Sequence, residues 1–250
     1  MNRLRLHVIA CPVFQRELEM LSASAAAAIT MQHLEMGLHE RSADQLRTAL
    51  QDAIDRVTAD QCDAIVVAYG LCNRGIVGLQ ARSLPVVLPR AHDCIGMLLG
   101  DTKRYLAQME AQAGTCFQSA GWLENAPANG DVCPPNLSFG PGSSVTRERL
   151  AKKYGEENAD FLLEQFAAFT RHSQRLAFIS TPVHDAARWE KAARKTAQAH
   201  AWAFEKLPGD LGWLRRLISA EWNEREFLIL KPGERAAARH NGQLIGAEPA

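Results

Sequence analysis

The chain has 250 residues, 47% of them hydrophobic, and a formal net charge of zero. That length supports one large globular domain or two small ones. The charge balance argues against nucleic acid as a main partner, and no apolar run approaches the roughly 20 residues that span a bilayer.

The N-terminus enters a strand-like run at once, without an apolar leader and a small-residue cleavage site, which points to a cytoplasmic protein. In that compartment the six cysteines are expected to be reduced, serving as core, metal-binding or catalytic groups.

"LRLHVIAC" (4–11) reads as a buried strand, and "FQRELEMLSASAAAAI" (14–29) follows with helical character. "TMQHLEM" (30–36) is a weaker strand. "SADQLRTALQDAIDRVTAD" (42–60) carries the clearest helical period. Ser42 can cap it, and Leu46, Ala49, Leu50, Ala53, Ile54 and Val57 share one face. "CDAIVVAYG" (62–70) and "LPVVLPR" (84–90) are almost wholly apolar, as expected of parallel strands covered on both faces. A helix is expected over 94–112 and a strand over 114–122, with Trp122 at its end.

Residues 124–145 are rich in Pro, Gly, Asn and Ser and read as a long loop or lid. Two helices broken near Gly155 follow, over 144–173. Then come a strand "RLAFIS" (175–180), a helix "HDAARWEKAARKTAQAHAWAFEKL" (184–207) and a strand "EFLILKPG" (226–233). The alternation implies an α/β fold with a mainly parallel sheet flanked by helices on both faces, a Rossmann-like three-layer architecture. The expected division is an α/β half over 1–123, the loop or lid, a second α/β half over 146–233, and a polar tail over 234–250 with a frayed end.

In such sheets ligands bind outside the carboxyl ends of the strands. Cys11, Cys72 and Cys94 each follow a strand and precede a turn or helix. Three thiolates gathered at one edge would repel one another unless a cation neutralised them, so a shared metal is expected. Zinc accepts Cys and His in fours; His39 or His92 could complete the set, or the fourth position could stay open. The same thiols could hold a 4Fe–4S cluster with one iron free. The spacing leaves that choice open, and it also leaves open that each cysteine packs as a small hydrophobe, since no CxxC pair is present. Cys62, Cys116 and Cys133 read as structural.

Asp93 could orient a neighbouring histidine or a water, or cap the helix that begins at Cys94. Arg90 could clamp a carboxylate or phosphate, or form a surface ion pair. Trp122 could wall a pocket or simply pack. Glu17 reads as part of a solvated helix face. The three glycines of "YGLCNRGIVG" match neither GxGxxG nor the phosphate loop, which argues against nucleotide binding.

The segments "IACPVFQREL", "CDAIVVAYGLCNRGIVGL", "LPRAHDCIGMLLGDTKRYL", "GWLE", "KKYGEENADFLLEQF" and "PGDLGWLRRLISAEW" together resemble the family catalogued as domain of unknown function 1638. The "YGLC" and "PRAHDC" pieces are the specific ones. The resemblance implies that Cys11, Cys72, His92, Asp93 and Cys94 are signature positions. It also implies a setting near corrinoid-dependent methyltransferase and one-carbon components, which is an association and not a mechanism. Asn73-Arg74 stands where a small Gly-containing pair is common, and Arg74 adds a cation that would favour an anionic ligand.

The expectation is therefore a metal-thiolate enzyme or accessory protein acting on a small molecule, as a metal-dependent lyase, hydrolase or methyl transferase. Cys11, Cys72, Cys94 and His39 would ligate zinc or the cluster. His92 and Asp93 would act on the substrate, with Arg90, Arg74 and Trp122 contacting it. The alternative is a non-catalytic metal or corrinoid carrier, or a chaperone for a partner methyltransferase.

Overall fold

The computed structural model describes residues 3–38, 42–72, 74–112, 114–125, 147–156, 158–162, 175–239 and 242–250. Expectations that fall on the loop or lid beyond Asn125, on His39, Asn73 and Cys133, and on 163–174 lie outside the described residues.

The apolar runs become strands because both of their faces are covered. β1 (Arg5–Ala10), β2 (Ala28–His33), β3 (Ala64–Ala68) and β4 (Val86–Pro89) pair in parallel. All five residues of β3 are buried. A fifth strand, β8 (Phe227–Leu230), closes the sheet antiparallel to β4, giving the order β2-β1-β3-β4-β8. The protein is thus a mixed α/β fold whose mostly parallel central sheet is flanked by helices.

The chain runs from β1 to β2 on one side, then returns to place β3 on the other side of β1. The strand order therefore reverses between β1 and β3, the position outside whose carboxyl ends open α/β sheets bind ligands. Helix α1 (Gln15–Ser22) follows β1 through a short 3₁₀ turn, Pro12–Phe14. Helix α2 (Ala43–Asp55) lies between β2 and β3. The Ser42 hydroxyl accepts from the Gln45 amide in a full capping box, and Leu46, Leu50, Ala53 and Ile54 are buried, as the sequence period predicts.

A second sheet, β5-β6-β7 (Thr115–Ser119, Arg175–Ser180, Ala203–Pro208), is wholly parallel. The sheets cut across the halves expected from the sequence: β5 pairs with β6, while β8 crosses back to β4.

Four local expectations are corrected. The helix expected to reach residue 29 ends at Ser22, and Ala28 and Ile29 already pair with β1. The helix expected over 94–112 is two, α3 (Cys94–Leu99) and α4 (Thr102–Ala111), broken at a left-handed C-cap, Gly100. Residues 184–207 split into a helix, Ala186–Ala199, and strand β7, because pairing with β6 outweighs the helical period at Ala203. The tail is not frayed: β9 (Glu234–Ala238) and β10 (Ile245–Pro249) form an antiparallel pair. Bonds from the Gly78 amide to the Ala236 carbonyl and from the Ala236 amide to the Leu79 carbonyl fasten it to the first half.

Cys116 is disulfide-bonded, against the expectation of reduced thiols. Cys11, Cys62, Cys72 and Cys94 are free. Among the described residues, no helix is long and apolar enough to cross a membrane.

Candidate functional site

Three adjacent strands deliver the three cysteines. Cys11 follows β1 directly, Cys72 lies in the turn after β3, and Cys94 opens α3 after β4. The turns are stitched edge to edge. The Cys11 amide donates to the Ala68 carbonyl, the Leu71 amide to the Ala91 carbonyl, and the Cys72 amide to the His92 carbonyl. These bonds continue the parallel ladder past the strand ends, so the loops carrying the thiols are held as firmly as the sheet.

Close approach of the loops is possible because position 70 is glycine. A Cβ there would stand 2.7 Å from the Asp93 Cα and amide nitrogen, a clash no backbone absorbs. Two residues further on, Cys72 has φ +38°, in the left-handed region that L side chains rarely adopt. A non-glycine residue held there costs about 1–3 kcal/mol, and such strain tends to collect at functional sites.

The electrostatics show that these groups share one neighbourhood. Burial pushes the Cys11 thiol up from 9.0 to about 11, partly offset by the Val13 amide and the Tyr69 hydroxyl. Burial also raises Cys72, as do Asp93 and Cys11 beside it. Cys94 is raised by burial and then by Asp93, Cys11 and Cys72. Cys11 makes Cys72 and Cys94 harder to ionise, and Cys72 does the same to Cys94, as expected of acids gathered without a counter-charge. Cys72 and Cys94 keep part of their surface open to solvent, but protein surrounds their sulfurs.

Asp93 has two jobs at once. Its Oδ1 accepts from the Gly96 amide at 3.0 Å and caps α3. Its Oδ2 accepts from the Tyr105 hydroxyl at 2.9 Å. Burial still raises its carboxyl, with those bonds pulling the other way. The His92 ring stacks on Tyr105, with centroids 5.6 Å apart and planes 15° from parallel.

The remaining sequence-derived candidates divide. Arg90 is committed to backbone: Nε donates to the carbonyls of Glu224 (2.9 Å) and Phe227, and Nη1 to those of Gln243 and Ile245. It pins β8 and the terminal hairpin, so its expected contact with a substrate is replaced by a structural one. Arg74 is exposed, with φ +66°. Trp122 lies not at a strand end but on helix α5 (Ala120–Asn125), 4% exposed, with its indole N–H buried. His39 lies outside the described residues.

Sequence reasoning missed Tyr69, Tyr105 and Glu17. The Tyr69 hydroxyl is buried beside the Cys11 thiol, and the residue sits in the apolar run of β3, where it read as core. Tyr105 lies on α4, twelve residues from its partner Asp93, with no local signal linking them. Glu17 is fully buried, not solvated.

The donor set is three soft thiols with one carboxylate and a stacked histidine at their rim, the residue types that suit zinc or an iron–sulfur cluster. Among the described residues, no three His, Cys, Asp or Glu side chains stand in a ligating arrangement.

No curated protein and no solved structure matches this chain. Residues 33–218 match the family model described as "Protein of unknown function (DUF1638)", a span that takes in Cys72, His92, Asp93 and Cys94 and leaves Cys11 outside it. That span exceeds half of the chain, and the chain belongs to this family.

Proposed function

We propose that Cys11, Cys72 and Cys94 hold a cationic metal centre, zinc or a 4Fe–4S cluster, at which a small molecule is bound and transformed. The observation that carries this reading is the burial of three thiols beside Asp93, close enough that Asp93 and Cys11 raise Cys72 and all three raise Cys94. Acids packed this way are stable only as neutral groups or around a cation. A metal would outweigh these repulsions with its own attraction for each thiolate, since coordination removes the thiol proton outright.

When bound, such a centre supplies a Lewis acid for a substrate oxygen, nitrogen or sulfur. The chain's own part is to hold and shield. The Cys11–Ala68 and Cys72–His92 backbone bonds fix the thiol loops. Tyr105 and the Gly96 amide fix Asp93, and Tyr105 also sets the plane of His92. His92, whose ring nitrogens make no hydrogen bond among the described residues, is the group we assign to carry a proton to or from a bound molecule. A setting in corrinoid-linked methyl-group or one-carbon metabolism, with a corrinoid protein or methyltransferase as partner, rests on the family association alone, and a cytoplasmic location rests on the N-terminal sequence.

Elemental analysis and an absorption spectrum of protein purified without oxygen test the proposal. Brown protein with iron and sulfide selects the cluster; colourless protein with one zinc per chain selects zinc. Cys72→Ser is expected to lose the metal. A wild-type protein that takes up neither metal, or a C72S variant that keeps its full content, removes the reading.

A further inference from the structure

The carboxyl ends of the two parallel sheets meet. After β5, α5 packs against the Pro12–Phe14 turn so closely that a Cβ on Gly121 would lie 2.0 Å from the Val13 carbonyl oxygen, and Asn125 Nδ2 donates to the Pro12 carbonyl. After β6, the Thr181 hydroxyl donates to Glu17 Oε1 at 2.7 Å. After β7, the Asp210 amide donates to the Leu98 carbonyl on α3. The seam between the sheets therefore runs along the segment that follows Cys11.

Glu17 sits in this seam with no exposed surface. Its Oε2 is buried and, among the described residues, has no hydrogen-bond partner. The nearest cation, Arg16, is engaged by both oxygens of Glu124. Two indole N–H groups on elements packed against the same segment are also buried without an acceptor among the described residues: Trp122 on α5 and Trp213 on the helix Gly212–Ile218.

We infer that the seam binds a small molecule through a carbonyl-type oxygen, with Glu17, as a neutral acid oriented by Thr181, donating its Oε2 proton to that oxygen. A carboxylate at Glu17 would leave a fully buried charge beside no free cation among the described residues, so burial favours the protonated form. With Oε1 taken by Thr181, the acid proton belongs on Oε2, where no described acceptor receives it. Glu17 Oε2 and the two indole N–H groups are then all donors, and an acceptor oxygen is the complement that Glu17 lacks. The inference does not rest on the thiol centre, because Glu17 lies on α1, beyond the turn that follows Cys11, and is held by Thr181.

Infrared difference spectra with acetate and acetamide as probes test it, in the wild type and in the metal-free C72S protein. A protonated-carboxyl band is expected to persist above the ordinary glutamate value of 4.5, absent in Glu17→Gln and shifted saturably by a probe. Response to acetate alone assigns a carboxylate ligand; response to acetamide alone assigns an amide or ester carbonyl. E17Q keeps an N–H donor at the same place and is expected to bind within about threefold of wild type. Glu17→Leu is expected to weaken binding about tenfold or more, the loss of one buried hydrogen bond. Should E17L fail to fold, Thr181→Val carries the same expectation. Absence of the band in the wild type, a band that neither probe moves, or E17L and T181V binding like the wild type would each overturn the inference.

Discussion

The Tyr105 hydroxyl donates to Asp93 Oδ2 at 2.9 Å while its ring stacks on His92. One side chain on α4 thus fixes both polar residues of the "RAHDC" turn. Tyr105→Phe removes only the hydroxyl and leaves the stack. The Asp93 carboxyl, already raised by burial, then rises further, because the lost bond favoured its charged form. The expected cost is about 1–2 kcal/mol in chemical denaturation. Unchanged stability together with an unchanged Asp93 titration, read by carbon-detected NMR, would contradict this account.

The thiols make the metal-free protein sensitive to alkali. Cys11 is raised from 9.0 to about 11 in the fold, and Cys72 and Cys94 are raised as well. For an acid raised on folding, the unfolded state releases its proton first. Stability is therefore intact below the unfolded value, near pH 9, and falls as pH climbs through the folded value, near 11 for Cys11. The melting temperature of metal-free protein is expected to decline across that window, and Cys11→Ser should flatten the decline. Metal affinity should move the opposite way, rising with pH because binding displaces thiol protons. An alkaline decline of equal slope in C11S would show that the thiols do not cause it.

Much of this arrangement was legible in the sequence, and the gaps have physical causes. The apolar runs at 62–70 and 84–90 could only be covered strands, so Cys72 and Cys94 fell at carboxyl ends by position alone. Ser42 and Gln45 announced α2 through local bonding. What escaped was non-local. Strand β7 was hidden because its pairing with β6 is invisible in a helical-looking run of Ala, Glu and Lys. Tyr105 and Glu17 take their meaning from Asp93 and Thr181, far along the chain. Arg90 looked like an anion clamp because its carbonyl partners lie more than 130 residues away.

The commitment of Arg90 to backbone carbonyls predicts what its loss does. Arg90→Ala frees β8 and the loop before β10 from the end of β4. Amide exchange over 234–249 is expected to accelerate strongly in this variant, with a stability loss of about 2–3 kcal/mol for charge-assisted bonds left unmade. Arg90→Lys restores little, because an ammonium group lacks the fork that reaches several carbonyls at once. Wild-type exchange in the hairpin of R90A would show that the Gly78 and Leu79 backbone bonds suffice to hold it.

The strain at Cys72 separates backbone demand from thiol chemistry. At φ +38° serine meets the same steric penalty as cysteine, whereas glycine meets none. Cys72→Gly is therefore expected to be more stable than Cys72→Ser by about 1 kcal/mol in the metal-free state, since both lose the sulfur and only one keeps the strain. Both should lack metal. The comparison is made by denaturant titration of the two variants side by side. If C72S proves the more stable, the left-handed turn is not held under strain by the Gly70–Asp93 contact and the Cys72–His92 bond, and the fixed placement of the thiol loops loses its physical basis.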